Sequence, residues 1–204
     1  MSTARRTEPP TPRRAAIEAS VLRATEELLR EGSSYSELNI EKIATRAGLS
    51  RTAFYFYFRD KRELLMRVTE GVADLLYEEA DRWWSDEGDG REQLADALAE
   101  IGGLWEEHVP LLRAVVEAST FDEEIAGFWR GLVGRFVDAT RRRIEAEQAA
   151  GRVAADLPAH GVSFALVWMT ERANYQYLAQ GPQAAGGPVT DALVAVWLAA
   201  VYGG

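Results

Sequence analysis

"IEKIATRAGLSRTAFYFYFRDKRELL", residues 40–65, decides how the rest of this 204-residue chain is read. Five consecutive aromatic residues, Phe54 to Phe58, stand inside it. Such a run fits a buried strand, but its surroundings argue for helices. Asn39 suits the cap of a short helix whose inner face is Ile40, Ile43, Ala44 and Ala47. Gly48 suits the left-handed position that ends it, Leu49 then turns inward, and Ser50 suits the cap of a second short helix. No other segment offers a partner strand. Read as helix, Phe54 and Phe58 lie four apart and share the inner face, and Tyr55 falls on another face. Two short helices joined by a tight glycine turn form the helix-turn-helix pattern.

Outward from this stretch the periodicity stays helical. Upstream, Ile17, Val21, Thr25, Leu28 and Leu29 share a face and Gly32 follows as a stop. Downstream, Asp60 and Glu63 form a capping box that opens a long helix. Its stripe is Leu64, Leu65, Val68, Val72, Leu75 and Leu76, and it runs to about Trp84, where "SDEGDG" breaks it. Further helices are expected over about 91–108, 111–119, 122–150, 159–180 and 190–202. Ile125, Phe128, Trp129, Leu132, Val133, Phe136 and Val137 give the fourth of these six helices a stripe wide enough for burial on more than one side. The expected fold class is all-α, with three parts. Residues 1–14 are a flexible basic tail, 15–60 a three-helix helix-turn-helix DNA-binding domain, and 61–204 a larger helical ligand-binding and dimerisation domain.

Charge divides the chain in the same way. Residues 1–64 hold 12 Lys and Arg against 9 Asp and Glu, and the remainder holds 11 against 23. A basic front can meet phosphate while an acidic body is held away from it, although acidic surfaces are also simply solvated. The chain lacks Cys, which excludes disulfides and Cys-based zinc sites and fits a reducing, cytoplasmic location. The N-terminal stretch has no apolar segment, so a signal peptide is not expected. The longest apolar run, "ALVAVWLAAVY" at 192–202, is about half the ~20 residues of a membrane-spanning helix, so no membrane partner is expected.

The aromatic run admits two readings. In one it is plain core and Arg51 is solvated. In the other, which the preceding helix-turn favours, the helix from Ser50 to about Phe56 enters a major groove. Ser50, Arg51 and Thr52 then lie at its N-terminus, where recognition helices meet base edges. Arg51 suits guanine, a contact giving ~1–3 kcal/mol of discrimination. Tyr55, Tyr57 and Lys61 would fix the register through phosphates. Lys61 opens a helix whose first N–H groups also favour an anion.

The segment "IEKIATRAGLSRTAFYFYFRDKRELL" resembles the N-terminal domain of the tetracycline-repressor (TetR) family of transcriptional regulators. Ile43, Ala44, Gly48, Leu49, Ser50, Tyr55, Phe58, Lys61 and Leu64 carry the likeness. It implies a homodimer on a pseudo-palindromic double-stranded DNA operator, usually repressing, released by a small molecule held in the larger domain. "LPAHGVSFALVWMTERANY", Trp197 and the ending "VYG" resemble one branch of the family, and imply a long apolar ligand channel. By that resemblance the channel is lined by Leu94, Ile101, Trp105, Trp129, Val133, Phe136, Thr140, Val167, Thr170, Glu171, Asn174, Tyr175 and Trp197. Where that branch carries two Asn one helical turn apart, this chain has Val167 and Thr170, which implies a more apolar or differently oriented ligand. An aromatic stripe at helical spacing is otherwise ordinary core.

Several features weigh on the remaining classes of function. His108 and His160 have no metal-ligand companion at useful spacing, and neither a glycine-rich phosphate loop nor a convincing catalytic triad occurs. No cofactor, metal or catalytic residue is therefore expected. Glu171 and Arg172 suggest internal ion pairing with partners elsewhere, at least for Arg172, since a buried charge needs a partner. The last two helices have apolar faces too long to leave exposed, which suggests a four-helix dimer interface. Recognition helices would then stand ~34–36 Å apart or a multiple of it. The helix from Asp60 to Trp84 would act as the lever between domains, with Gly71 helping it bend. Arg5, Arg6, Arg13 and Arg14 form either a minor-groove arm or an idle extension. The rival to a DNA-binding regulator is a helical small-molecule-binding dimer without sequence-specific DNA binding.

Overall fold

A computed structural model describes residues 11–85, 88–181 and 187–203. Within them the chain forms α1 (Pro12–Arg30), α2 (Ile40–Arg46), α3 (Arg51–Phe54), α4 (Lys61–Ser85), α5 (Gly90–Ala118), α6 (Glu123–Ala149), α7 (Ala159–Asn174) and α8 (Gly187–Tyr202). A single π-turn, Tyr175–Ala179, extends α7. The fold is all-α, with an N-terminal helix-turn-helix unit and a larger helical unit.

The first unit is Met1–Val68 and the second Thr69–Gly204. The division therefore falls inside α4 rather than at 60/61. The first turns of α4 belong to the first unit because Arg67 pairs there with Glu18 at 2.7 Å and lies over the Phe58 ring at 5.1 Å. Glu18 is buried and also accepts from Arg14 at 2.8 Å. Burial alone would raise its carboxyl, but the two guanidinium groups outweigh this and hold it below the ordinary value. The basic tail is shorter than expected. Thr11 caps α1 and Pro12 opens it, so Arg13 and Arg14 are helical. Arg5 and Arg6 lie outside the described residues.

Capping produces the helix-turn-helix as the sequence suggests. Asn39 Oδ1 accepts from the Lys42 N–H at 2.9 Å, and Ser50 Oγ accepts from the Ala53 N–H at 3.1 Å. Between them Gly48 takes φ 72°, a left-handed conformation that a side chain would strain. The Leu49 N–H then reaches back to the Ala44 carbonyl at 2.8 Å and the Gly48 N–H to that of Thr45 at 3.1 Å, a Schellman closure. Phe54 and Phe58 are buried at 0% and 1% exposure, with ring centroids 5.4 Å apart. Truncating either to Ala would cost about 3–5 kcal/mol.

The second unit holds the larger core, in which Trp83, Leu94, Leu98, Ile144, Leu166, Trp197, Val201 and Tyr202 pack together. The Trp83 indole donates to the Tyr202 hydroxyl at 3.0 Å. A fully buried Glu147 on α6 pairs with Arg143 at 3.0 Å and accepts twice from Arg152 at 2.8 Å. The two helices expected over 91–108 and 111–119 join into α5 across a kink. His108 there leaves helical geometry, and Pro110 removes an N–H from the ladder. Leu75, expected in the buried stripe of α4, is 44% exposed.

Candidate functional site

Two regions carry the candidate chemistry, one in each unit. In the first unit α3 is a single turn, and the chain continues through Tyr57 by tighter bonds, with the Tyr57 N–H on the Phe54 carbonyl at 2.9 Å. This turn presents Ser50, Arg51 and Thr52, all exposed, at the helix start. Tyr55 is 47% exposed. Tyr57 is half-buried, with the Arg14 guanidinium 5.9 Å from its ring centroid.

Phe56 was not among the candidates, yet at 75% it is a more exposed apolar side chain than Tyr55. Its signal was available. In a helical turn the residue two places from buried Phe54 and two from buried Phe58 must face away from both.

Lys61 is turned inward. Its ammonium donates to the carbonyls of Tyr35 and Leu38 at 2.8 and 2.9 Å and lies 4.3 Å from the Tyr35 ring centroid. Burial lowers its pKa from the ordinary lysine value. Two of its three N–H donors are thus spent on backbone, which leaves one for any phosphate. Lys61 and Arg51 border one hollow together with Leu38, Asn39, Ile40 and Glu41. The capping box at the start of α4 is displaced by one residue. Asp60 Oδ1 accepts from the Glu63 N–H at 2.8 Å, but Glu63 Oε2 accepts from the N–H of Arg59, not Asp60, at 2.7 Å.

In the second unit α4 to α8 enclose a cavity of about 690 Å³ of atom-free space, counting its mouth. Leu94, Ile101 and Trp105 of α5 line it, with Trp129, Val133, Phe136 and Thr140 of α6, Val167, Thr170 and Glu171 of α7, and Trp197 of α8. Asn174 and Tyr175 stand outside this lining. The Asn174 amide donates to the Thr170 carbonyl at 3.0 Å, and the Tyr175 hydroxyl accepts from Gln180 at 2.9 Å. The candidates omitted Leu76, Ala80, Trp83, Trp84 and Ala97, which also line the cavity. Four of these continue the α4 stripe at spacings of four, three and one, a helical pattern that was legible.

The wall is apolar apart from Thr140, Thr170 and Glu171. The Thr170 hydroxyl donates to the Leu166 carbonyl at 2.9 Å and accepts from the Trp197 indole at 2.8 Å. Glu171 is 5% exposed, and burial raises its pKa above the ordinary carboxyl value. Arg172 is not buried in the internal ion pair with a distant partner that the sequence suggested. Its side chain is 53% exposed, its Nε is 3.6 Å from Glu171 Oε2, and its guanidinium lies over the Tyr175 ring. Among the described residues no three His, Asp or Glu gather as a metal site requires, and no helix is long and apolar enough to cross a membrane.

A capped helix-turn-helix with an exposed Arg and aromatic face, followed by a helical unit around an apolar cavity, is the architecture of a transcriptional regulator. Comparison with known proteins agrees. Residues 21–68 match the family described as bacterial regulatory proteins, tetR family, and residues 94–203 match the C-terminal domain of the transcriptional regulator EthR. The chain is 30% identical over 215 residues to the HTH-type transcriptional regulator EthR of Mycolicibacterium smegmatis, covering 100% of this chain and 97% of that protein. The EthR of Mycobacterium tuberculosis is 28% identical over 184 residues, covering 88% and 85%. Salmonella enterica GusR superposes with a TM-score of 0.75 at 14% identity over 97% of this chain and 99% of that one. SmeT, the repressor of a Stenotrophomonas maltophilia multidrug efflux pump, gives 0.74 at 18% identity over 90% and 89%. The chain belongs to the TetR family of transcriptional regulators, with an EthR-type C-terminal domain, and is not an enzyme.

Proposed function

We propose that this regulator is a repressor that binds a pseudo-palindromic operator as a homodimer and is released by an apolar small molecule held in the cavity of its second unit. The observation that carries the reading is the pairing of roles within one turn. Phe54 and Phe58 anchor the turn in the core, while Arg51, Thr52, Tyr55 and Phe56 face outward beside it. Arg51 and Thr52 are assigned to base edges, and Ser50, Tyr55, Tyr57 and Lys61 to the phosphate backbone.

Dimerisation is assigned to α7 and α8. Phe164 at 53% and Val196 at 45% are exposed on them, next to exposed Ala165, Ala192, Ala195 and Ala199. An apolar surface of this kind on two adjacent helices suits a self-complementary two-fold contact. Release follows if the ligand binds the DNA-incompetent state more tightly than the competent one, with α4 transmitting the difference. A ligand of equal affinity for both states would produce no release.

The test is selection of short genomic fragments by the purified protein at near-physiological salt, followed by sequencing. Enrichment of a pseudo-palindrome is expected. Weak, salt-sensitive binding without enrichment would overturn the reading and leave a helical small-molecule-binding dimer in its place.

A further inference from the structure

We propose that the cavity is built for an organic cation, an apolar amine that is protonated at neutral pH and whose nitrogen pairs with Glu171. The inference rests on the reading of this cavity as the ligand site and specifies the ligand's chemical class. Both carboxylate oxygens of Glu171 are buried and have no hydrogen-bond partner. A buried polar group of this kind is rare in a folded protein and needs an explanation. The one nearby cation does not supply it. Arg172 Nε stands 3.6 Å away, beyond hydrogen-bond range, on a side chain that is half in solvent and therefore screened. The Trp129 indole N–H points to the carboxylate and lowers its pKa as a hydrogen-bond donor, but at a geometry short of a regular hydrogen bond, so it offsets the burial of Glu171 only in part.

The rest of the wall discriminates between ligand classes. It contains no Lys, Arg or His, so an anionic ligand such as a fatty acid would meet a carboxylate and no compensating charge. The Thr170 hydroxyl is already occupied on both its donor and acceptor sides. The cavity lining is rich in aromatic faces, with Trp105, Trp129, Trp197 and Phe136 among them, and the Trp129 indole acts on Glu171 itself. Such faces attract an alkylammonium group once it is out of water. A cation entering here supplies the buried carboxylate with a close opposite charge and leaves its apolar portion against apolar walls. Burial raises the Glu171 pKa, and an ammonium beside it acts in the opposite sense by supplying a positive charge.

A neutral acid could instead donate to a ligand carbonyl, so the experiment separates the two. Isothermal titration calorimetry on the full chain compares three probes of matched chain length, N,N-dimethyloctylamine, N,N-dimethyloctanamide and octanoate. The amine is expected to bind at least about tenfold more tightly than the amide, with octanoate weakest. In Glu171→Gln the amine is expected to lose about tenfold or more while the amide stays within about threefold. An amide or octanoate that binds wild type as tightly as the amine overturns the proposal, as does an unchanged amine affinity in the variant. In either case the cavity remains a ligand site. Failure of all three probes to bind removes the cavity reading itself, and the cation with it. If Glu171→Gln does not fold, wild-type binding of octyltrimethylammonium decides. It cannot lose its charge, so affinity no better than that of the amide overturns the proposal.

Discussion

The Trp197 indole N–H and the Thr170 hydroxyl meet at 2.8 Å and tie α8 to α7 within the cavity wall. The hydroxyl in turn donates a hydrogen bond to the Leu166 carbonyl, so the indole is held by a group that is itself fixed. Thr170→Val keeps the shape and removes the acceptor, leaving a buried N–H without its partner. The expected loss of stability is about 1–3 kcal/mol, read from the urea midpoint at constant slope. A change below about 0.5 kcal/mol would mean that water or a rotated Trp197 replaces the bond.

Arg51 and Lys61 should separate in DNA-binding assays. Arg51→Ala is expected to flatten base preference at one operator position, at a cost of about 1–3 kcal/mol on the preferred site. Lys61→Met should weaken binding to all sequences and lower the salt slope by about one unit. It should also destabilise the free protein, because the Tyr35 and Leu38 carbonyls lose a charged donor whose hydrogen bonds contribute about 1.5–3 kcal/mol. A stability loss with an unchanged salt slope would make Lys61 a structural pin only.

Glu147 should give the second unit an acid-sensitive component. The Arg152 hydrogen bonds, aided by the charge of Arg143, hold its carboxyl below the ordinary value. A lowered folded pKa stabilises above the unfolded value of about 4.3, and that contribution fades as pH falls through the folded pKa. Glu147→Gln is therefore expected to be less stable than wild type at pH 7 by an amount that holds down to about pH 5 and shrinks below it. Chemical denaturation across pH 3–7 measures the difference, and a gap that does not narrow in acid would refute the assignment.

Gly90 opens α5 directly against Tyr202. A Cβ there would collide with the Tyr202 hydroxyl and stand 3.2 Å from ring carbon Cζ. The ring has little room to yield, since the Trp83 indole holds its hydroxyl. Gly90→Ala is expected to cost about 1–3 kcal/mol in wild type and distinctly less in a Tyr202→Phe background, a coupling that a double-mutant cycle reads directly. Equal costs in the two backgrounds would exclude the clash as the cause.

The helical scaffold was largely legible because its signals are local. Asn39, Gly48 and Ser50 act within four residues of themselves, and the period of the apolar stripes identifies the long helices. What escaped depends on groups far apart in sequence or on competing partners. The hydrogen bonds of Lys61 to two carbonyls 26 and 23 residues away could not be seen locally, and they add a structural role to the phosphate contact expected of it. Glu63 chose the Arg59 N–H over that of its neighbour, a difference of one residue that no pattern specifies. In the cavity, the family likeness identified the α5, α6 and α7 walls. The resemblance implies no lining residue on α4, and an apolar stripe by itself does not tell core from cavity wall, so Leu76, Ala80, Trp83 and Trp84 were not legible as lining. Asn174 was read as lining, yet its amide turns back along its own helix to the Thr170 carbonyl.

The aromatic wall has an optical consequence. Of the six tryptophans in the chain, Trp83, Trp84, Trp105, Trp129 and Trp197 line the cavity, and none lies before residue 83. Excitation of indole therefore illuminates the second unit alone, and a molecule entering the cavity arrives within contact distance of most of the emitters. Trp168, outside that wall with its ring centroid 6.3 Å from that of exposed Phe164, reports on the α7 surface instead. With no native thiol to compete, a single cysteine introduced near Thr52 would accept a dye of a different colour. Occupancy of the cavity and engagement of DNA can then be followed in the same cuvette, as two separate signals from one unmodified core.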